Sequence, residues 1–374
     1  MNILQQIFND HFHTVANSGI TIRDTVFENV DKMLHCGDYK HGFAVYGCEH
    51  CGKIKIVPFR CKSRFCTTCG NLYSQKRATQ MSFVLIRAPH RHCVFTIPKE
   101  LRHFFLKDRN LLNCLFEAVS SVIFRWFHKL NKSLNFTPGF VCTLHTFGRS
   151  LQWNPHIHVI LTEGGLGDNN LWRSCKHFNY TFLRNSFRTA LLNSMESAIG
   201  PSFKKVKAAI YKHCSDGFYV YAKPKICNTK QITKYIGRYL GRPVIATSRI
   251  DSYDGKNVTF HYNRHEDDEL VVNTIPASDF IKLLIRHIPD KDFKMVRYFG
   301  IYANKSKKYN KLSTAVPKDR HSLINSFDQW RTSLLLSFGY DPLLCNCGHL
   351  MSILEISHEG TPLIDKYRRF FDSS

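Results

Sequence analysis

The stretch WNPHIHVILTEGG (residues 153–165) places two histidines, His156 and His158, one residue apart at the start of an apolar run. Its pattern predicts a β-strand, bounded by an Asn-Pro step and a Gly-Gly pair. Side chains alternate between the two faces of a strand, so both imidazoles share one face. The opposite face carries three apolar side chains, which predict burial in a core: Ile157, Val159 and Leu161.

Two imidazoles on one face of a short strand can converge on a single ion. A lone histidine on such a strand is more often a structural residue with its hydrogen bonds satisfied. The pair His156 and His158 instead indicates a divalent metal site, because neighbouring side chains on one face lie within a few ångströms of one another.

Around this stretch, short strands alternate with helices. Further strands are predicted at 93–98, 140–148, 217–224, 257–262 and 269–275. Helices are predicted at 72–88, 101–131, 178–200 and 229–241. This mixture predicts an α+β fold, with a cysteine-rich module in front of the central sheet. We expect four consecutive segments: an N-terminal helical segment (1–34), a zinc-binding, DNA-contacting module (35–90), a core (91–304) and a basic linker with the C-terminal segment (305–374).

Charge points to an anionic partner. The chain has 374 residues, with 52 Lys and Arg against 29 Asp and Glu, a formal net charge of +23. Nucleic acid is the first candidate and an anionic membrane surface the second. No run of about 18 apolar residues predicts a membrane span, and the opening MNILQQIFNDHF lacks the early basic region of a signal peptide. We therefore expect a cytoplasmic protein without a membrane partner.

The cysteines indicate metal rather than disulfides. Of the 14 in the chain, two pairs have the spacing of zinc knuckles, Cys48-x2-Cys51 and Cys66-x2-Cys69. Two such knuckles complete a four-cysteine structural zinc site. Cys36 and Cys61 of the same region are not used in this site. They either belong to a second metal site or replace one of these four cysteines. Basic residues stand among and after these ligands and are candidate DNA contacts: Lys62, Arg64 and Arg77. The alternative is an ordinary solvated face of a small metal-stabilised domain.

A second motif lies in TKQITKYIGRYLGRP (229–243). Gln231, Tyr235 and Tyr239 are spaced by four, which places them along one stripe of a helix. Arg238 and Arg242 add positive charge beside this stripe and are further candidate DNA contacts. For two tyrosines taken alone, half-buried packing residues with solvated hydroxyls are the ordinary interpretation.

Together the three motifs resemble one family. A cysteine-rich zinc module, then a strand with His-hydrophobe-His, then a helix with Tyr-x3-Tyr is similar to the two-tyrosine rolling-circle transposases of insertion-sequence family ninety-one, which belong to the HUH single-strand endonucleases. The resemblance runs in order over residues 36–350. It includes CKSRFCTTCG (61–70), HCVFTIPKELR (92–102), YIGRYLGRPVIATSRI (235–250), NVTFHY (257–262) and VRYFGIYAN (296–304).

The resemblance implies a fold and a chemistry. The fold would be an HUH-type antiparallel sheet flanked by helices, with the histidines on a central strand. His156 and His158 would hold Mg²⁺ or Mn²⁺, with Gln231 as the candidate third ligand and Glu163 behind it. Tyr235 and Tyr239 would be the nucleophiles that join to a DNA 5′-phosphate.

The function implied is a transposase that nicks single-stranded DNA at the ends of a mobile element and transfers the strand to a target. Its partners would be single-stranded and hairpin element ends and target DNA, with no small-molecule substrate. It would act at the nucleoid of a bacterial cell. The alternative is a non-catalytic, zinc-dependent DNA-binding protein, a decayed transposase acting as a repressor. At the other end of the chain, Cys345 and Cys347 are one residue closer than a usual knuckle, which argues against a relaxed zinc site there.

Overall fold

A computed structural model describes most of the chain as two compact units. The described residues are 1–130, 136–175, 177–226, 243–264, 266–303, 322–323, 325–327, 329–358 and 361–362. The first unit groups residues 1–80, 241–288 and 322–374, and the second groups 81–240 and 289–321. The predicted helix at 229–241 lies outside the described residues, and so does the basic linker at 305–320.

The described helices and strands follow in chain order. The helices are α1 (Ile3–Ala16), α2 (Asp24–Leu34), α3 (Thr67–Val84), α4 (Lys99–Lys107), α5 (Leu112–Leu130), α6 (Tyr180–Ile199), α7 (Lys204–His213), α8 (Ala277–Ile285) and α9 (Trp330–Phe338). The strands are β1 (Phe43–Gly47), β2 (Ile54–Pro58), β3 (His90–Thr96), β4 (Thr137–Phe147), β5 (Trp153–Leu166), β6 (Trp172–Ser174), β7 (Val220–Ile226), β8 (Ile250–Tyr253), β9 (Asn257–Asn263), β10 (Leu270–Pro276), β11 (Val296–Gly300), β12 (Ser352–His358) and β13 (Thr361–Pro362).

The second unit is built on an antiparallel sheet. Its strand order is β11-β4-β5-β3-β7, with β6 paired to the end of β5. Every pairing in it is antiparallel. The strand that carries the histidine motif, β5, therefore lies at the centre, between β4 and β3. This confirms the predicted α+β class with an antiparallel sheet flanked by helices.

One face of β5 forms the core of the second unit. Ile157 and Val159 are fully buried among side chains of the helices that cover this face. Phe187 of α6 reaches the sheet, where its ring lies 5.2 Å from that of Phe95 and 5.9 Å from that of Phe218. The predicted division of β5 into an apolar face and a histidine face is confirmed.

The predicted single helix over 101–131 is wrong, because the structure has two helices there. The chain leaves α4 at Asp108, whose carboxylate accepts a hydrogen bond from the backbone N–H of Asn110 at 2.9 Å. Asp competes for backbone hydrogen bonds in this way and favours a cap over a helix interior. A short 3-10 turn at Arg109–Leu111 then leads into α5.

The first unit contains a four-stranded sheet of order β13-β12-β1-β2 and a three-stranded sheet of order β10-β9-β8. Helix α1 packs against α8. The C-terminal strand β12 pairs antiparallel with β1, so Gly47 lies opposite Ser352. The observed grouping thus differs from the four consecutive segments expected, since backbone pairing brings residues near the end of the chain to the cysteine-rich module.

No helix among the described residues is both long and apolar enough to cross a bilayer.

The burial of Phe187 predicts that its ring contributes measurably to the free energy of unfolding. We expect Phe187→Ala to lower the free energy of unfolding by roughly 3–5 kcal/mol, because it removes a fully buried ring from between β3 and α6. Chemical denaturation followed by circular dichroism measures the change. Leu106→Ala, at a position that is 42% exposed, is the matched control and should cost less than about 1 kcal/mol. Equal effects would contradict this account of the core.

Candidate metal centres

Three histidines meet on the second face of the central sheet. The hairpin of β4 and β5 places His145 directly opposite His156. One ring nitrogen from each of His145, His156 and His158 lies within 4.8 Å of the other two. The Nε2 atoms of His156 and His158 are 3.0 Å apart. The three residues expose only 7%, 9% and 8% of their surface. This is a buried cluster of three nitrogen donors.

Hydrogen bonding orients His156 for metal binding. Its Nδ1 lies 2.6 Å from the carbonyl oxygen of Asn154, and a carbonyl can only accept, so the ring proton sits on Nδ1. The lone pair of Nε2 then faces the cluster, which is how metal-ligating histidines are usually held. Burial lowers the pKa of His156 to about 4, so the ring is the neutral imidazole that a metal requires.

A fourth histidine stands behind His158. His92 of β3 lies opposite Ile160, on the same face as the cluster. Its Nε2 is 3.0 Å from Nδ1 of His158. If Nε2 of His158 binds a metal, Nδ1 of His158 carries the ring proton and donates a hydrogen bond to Nε2 of His92. The orientation of His158 is therefore set by a side chain of the neighbouring strand β3. The orientation of His156 is set by a backbone carbonyl of its own strand, β5.

Sequence reasoning missed His145. The signal was present in FVCTLHTFG (140–148), because the turn after Phe147 makes β4 and β5 a hairpin. The observed pair of His145 with His156 depends on an irregularity in the register between His145 and Phe147, which counting back from the turn does not give. The candidate third ligand Gln231 lies outside the described residues. The second candidate, Glu163, is on the core face, where Nε of Arg91 donates to its Oε1 at 2.8 Å.

The first cysteine group consists of Cys36, Cys61, Cys66 and Cys69, whose Sγ atoms lie within 4.8 Å of one another. The Sγ of Cys69 is 3.5 Å from that of Cys36 and 3.6 Å from that of Cys61. The backbone N–H of Cys61 donates to Sγ of Cys36. Hydrogen bonds from Cys61, Cys66 and Cys69 lower the pKa of Cys36 well below that of a free thiol.

The second group joins the two ends of the chain. It consists of Cys48, Cys51, Cys345 and Cys347, again with all Sγ atoms within 4.8 Å. Hydrogen bonding from the backbone N–H of Cys51 lowers the pKa of Cys48 to about 6. Four thiols at such distances, in each of the two groups, match the ligand set of structural zinc.

The predicted zinc site of Cys48, Cys51, Cys66 and Cys69 therefore does not form, since the structure separates its two pairs. The reason is the β1–β2 hairpin. The loop with Cys48 and Cys51 joins the two strands at one end, whereas Cys36 precedes β1 and Cys61 follows β2 at the other end. A five-residue strand spans about 17 Å, so the two ends cannot share one ion. Of the alternatives left open, Cys36 and Cys61 take part in a separate group.

Helix α1 supports the first group from behind. The buried side-chain amide of Gln5 donates to the backbone carbonyls of Met33, at 2.8 Å, and Cys36, at 3.3 Å. These bonds satisfy carbonyls at the end of α2, which have no partner within the helix. Phe8 packs edge-on against Phe65, with ring centroids 5.5 Å apart. The position of the cysteine loops is thus fixed by an ordinary core as well as by the thiols.

The side chains of the predicted DNA contacts differ in their exposure and in the residues that they contact. Lys62 is exposed, with a left-handed backbone at φ 55°. Arg64 lies over the ring of Tyr73 at 5.0 Å, and Arg77 donates to Gln80. Arg238 and Arg242 lie outside the described residues, and so do both candidate nucleophiles, Tyr235 and Tyr239.

Comparison with known proteins identifies relatives. Residues 7–97 match a family described as "Transposase zinc-binding domain", and residues 139–309 match one described as "Putative transposase". The chain is 30% identical over 327 residues to the transposase for insertion sequence element IS801 of Pseudomonas savastanoi pv. phaseolicola, covering 82% of this chain and 78% of that one. It is 26% identical over 286 residues to putative transposase y4qJ of Sinorhizobium fredii, with 71% of each covered. No solved structure matches.

The histidine cluster predicts a three-ligand site. We expect His145→Ala to weaken Mn²⁺ binding by at least about tenfold, as His158→Ala should, because each removes one nitrogen donor. Isothermal titration of the purified full chain with Mn²⁺ measures the affinity. His103→Ala changes an exposed histidine of the same unit and should leave the affinity unaltered. An affinity unchanged in His145→Ala would remove this residue from the site.

Proposed function

The chain belongs to the transposases of insertion-sequence family ninety-one and carries their zinc-binding domain, and from this premise we propose that it is an HUH endonuclease that nicks single-stranded DNA through a phosphotyrosine intermediate. It would act at the ends of a mobile element and transfer the nicked strand to target DNA, as in rolling-circle transposition. The observation that carries the proposal is the convergence of His145, His156 and His158 on one face of the central sheet.

The histidines fit a catalytic divalent cation. Two ligands at right angles on an octahedral ion, at about 2.1 Å each, lie about 3.0 Å apart, which is the distance between Nε2 of His156 and Nε2 of His158. Imidazole suits Mn²⁺ better than Mg²⁺, which prefers oxygen. A bound ion would polarise the scissile phosphate and stabilise charge on the departing oxygen. The face opposite the cluster is closed by a core, so substrate would approach only from the histidine side.

The tyrosines would supply the nucleophile. The hydroxyl oxygen of Tyr235 or Tyr239 attacks phosphorus, a Tyr–O–P bond forms, and the bond from phosphorus to the 3′ oxygen breaks. The tyrosine proton leaves to solvent or a base, and the 3′ oxygen takes up a proton to become a free hydroxyl. The 5′-phosphate stays on the protein. Because the covalent intermediate conserves the energy of the phosphodiester bond, a later 3′-hydroxyl can reverse the attack without an external energy source.

Two tyrosines would allow two strands to be held in turn. With one of Tyr235 and Tyr239 carrying the first 5′-phosphate, the other remains available for a second cleavage at the other element end or in the target. The spacing of four residues supports this use, since both side chains then lie on one stripe of a helix. Gln231, four residues before Tyr235 in the sequence, is a further candidate ligand beside the three histidines.

The formal net charge of +23 supports DNA as the partner. Lys62 and Arg64 follow Cys61 in the sequence, and Arg77 lies in α3. Arg238 and Arg242 flank the candidate nucleophile Tyr239. These residues would contact single-stranded or hairpin DNA. The site of action would be the nucleoid in the cytoplasm, where element and target DNA both lie.

A covalent-adduct assay tests this function. The full chain is incubated with single-stranded oligonucleotides from the element's own end, labelled at the 5′ or the 3′ end, in Mn²⁺ or in EDTA. We expect an adduct stable in denaturing gels that retains only the 3′ label, because the 5′-phosphate of the downstream fragment stays on the protein. EDTA and the double variant Tyr235→Phe, Tyr239→Phe should abolish it.

Two controls separate the enzyme from a DNA-binding protein without chemistry. The double tyrosine variant should bind the oligonucleotide with unchanged affinity, because it lacks only two hydroxyls. Tyr340→Phe, at an exposed tyrosine outside the motif, should nick like the wild type. Tight binding by the wild type with no adduct in Mn²⁺ would reject the nicking proposal in favour of a zinc-dependent DNA-binding repressor.

Binding should depend steeply on salt. Neutralising phosphates releases counterions, so the logarithm of the association constant falls with the logarithm of salt concentration. We expect Lys62→Ala to reduce this slope by about 0.7 on single-stranded DNA. Lys282→Ala is the matched control, because Lys282 already pairs with Asp279 at 3.2 Å. Fluorescence anisotropy over a salt series measures both, and a flat response of the wild type would mean that the positive charge does not contact phosphates.

A further inference from the structure

The second cysteine group draws its ligands from both ends of the chain. Strand β1 ends at Gly47, one residue before Cys48, and β12 begins at Ser352, just after the loop with Cys345 and Cys347. Because Gly47 lies opposite Ser352 in the antiparallel pair, the two loops project from the same end of the sheet. Residues 345 and 347 lie outside both family matches, which cover 7–97 and 139–309.

We propose that Cys48, Cys51, Cys345 and Cys347 bind a second structural zinc ion, which fastens the C-terminal segment to the N-terminal module. The first zinc ion would be held by Cys36, Cys61, Cys66 and Cys69. The chain would thus carry two zinc ions in the first unit.

Sulfur positions fit tetrahedral zinc. At a Zn–S distance of about 2.3 Å, the sulfurs of a four-thiolate site are about 3.8 Å apart. Sγ of Cys48 lies 3.5 Å from Sγ of Cys347, and Sγ of Cys51 lies 3.6 Å from Sγ of Cys345. These distances are far longer than the 2.05 Å of a disulfide. They cross between the two loops, as expected when each loop supplies two ligands to one centre.

The short spacing Cys345-x-Cys347 does not prevent this arrangement. In the longer loop, the N–H of Cys48 donates to the carbonyl of Lys53 and the N–H of Gly52 donates to that of Cys48. In the shorter loop, the N–H of Cys345 donates to the carbonyl of His349 and the N–H of Gly348 donates to that of Cys345. The same pair of bonds closes both loops, with one residue fewer in the second.

A glycine with positive φ completes each loop, Gly52 at φ 70° and Gly348 at φ 87°. This left-handed conformation favours glycine because it has no Cβ. Each loop therefore turns sharply at the residue that follows its second cysteine. The expectation that the shorter spacing strains a shared site is not met by the backbone, which accommodates it within a tighter turn.

Among the described residues, this end of the sheet has only a small buried apolar cluster. Its apolar cluster consists of Cys48, Cys345 and Met351, with Tyr46 packed beside them. Several apolar side chains of the flanking strands face solvent: Ile54, Ile56, Ile353 and Leu354. So small a core does not hold a fold by burial alone, and metal ligation is the usual substitute.

A different ligand set shares Cys347. His50 and His349 stack with ring centroids 3.8 Å apart, and with Cys347 they form another group of possible ligands. All three of these residues are exposed. The four-cysteine set is favoured because it includes two buried thiols, Cys48 and Cys345, and because four thiolates complete a closed structural site.

Zinc content of the full-length protein tests the proposal. Protein purified under reducing conditions is analysed by inductively coupled plasma mass spectrometry. After subtraction of any zinc that a His156→Ala, His158→Ala variant loses from the histidine cluster, we expect about two zinc ions per chain in the wild type and about one in the double variant Cys345→Ser, Cys347→Ser. Cys61→Ser should also lose one ion, from the other group. Cys214→Ser removes a half-buried thiol outside both groups and should retain two.

Each outcome decides the proposal. One zinc ion in the wild type, or two in the C345S/C347S variant, would overturn it, and so would loss of the ion from a His50→Ala, His349→Ala variant. This measurement does not involve nicking, so a failed nicking assay leaves it unaffected.

If the double variant does not fold, cobalt substitution in a single variant tests the same site. Cys347→His keeps a ligand at this position, so the Co²⁺-loaded variant should still bind about two ions. Its visible d–d bands should shift, because one sulfur of the second site is replaced by nitrogen. Bands identical to those of the wild type would show that Cys347 is not a ligand and would overturn the proposal.

Discussion

Backbone pairing between β4 and β5 is the constraint on which the histidine site depends. His145 and His156 belong to different strands and meet only because the hairpin register sets them opposite each other. A shift of one residue would turn His145 to the core face and bring Leu144 or Thr146 into its place, since strand side chains alternate. The opposite face resists such a shift, because Ile157 and its neighbours are fully buried there. Hydrophobic packing on one face thus fixes the positions of the histidines on the other.

Positioning of the imidazoles continues into the neighbouring structure. Asn154 holds His156 through its own backbone carbonyl, and His92 reaches His158 from β3. Three adjacent strands, β4, β5 and β3, therefore contribute either a ligand or a support. A site built on the centre of a sheet in this way keeps its geometry better than one built on loops.

Local patterns predicted most of what depends on a single strand or turn. The alternation in 153–165 was sufficient for the two faces of β5, and the C-x2-C spacings were sufficient for zinc-type thiol groups. The C-x2-C spacings alone did not indicate which cysteine pairs share a group. That choice depends on the β1–β2 hairpin, which sends Cys48 and Cys61 to opposite ends, and on the distant strand β12, which was not predicted. His145 was missed for the same reason, because a ligand from a second strand is visible only once the register is known. The break at Asp108 shows the reverse case, in which one side-chain cap overrides a helical pattern.

The two kinds of donor group suit different metals. Thiolates favour soft ions such as zinc, whereas neutral imidazoles also accept the harder Mn²⁺, so the cysteine groups and the histidine cluster differ in the ions that fit them best. The thiolate sites also alter the charge that DNA meets. Four thiolates around Zn²⁺ carry two net negative charges, so two such sites lower the formal net charge from +23 to about +19. The remaining surplus is still large enough to attract a polyanion. Zinc can therefore hold the module in shape without cancelling the electrostatic attraction on which DNA binding would depend.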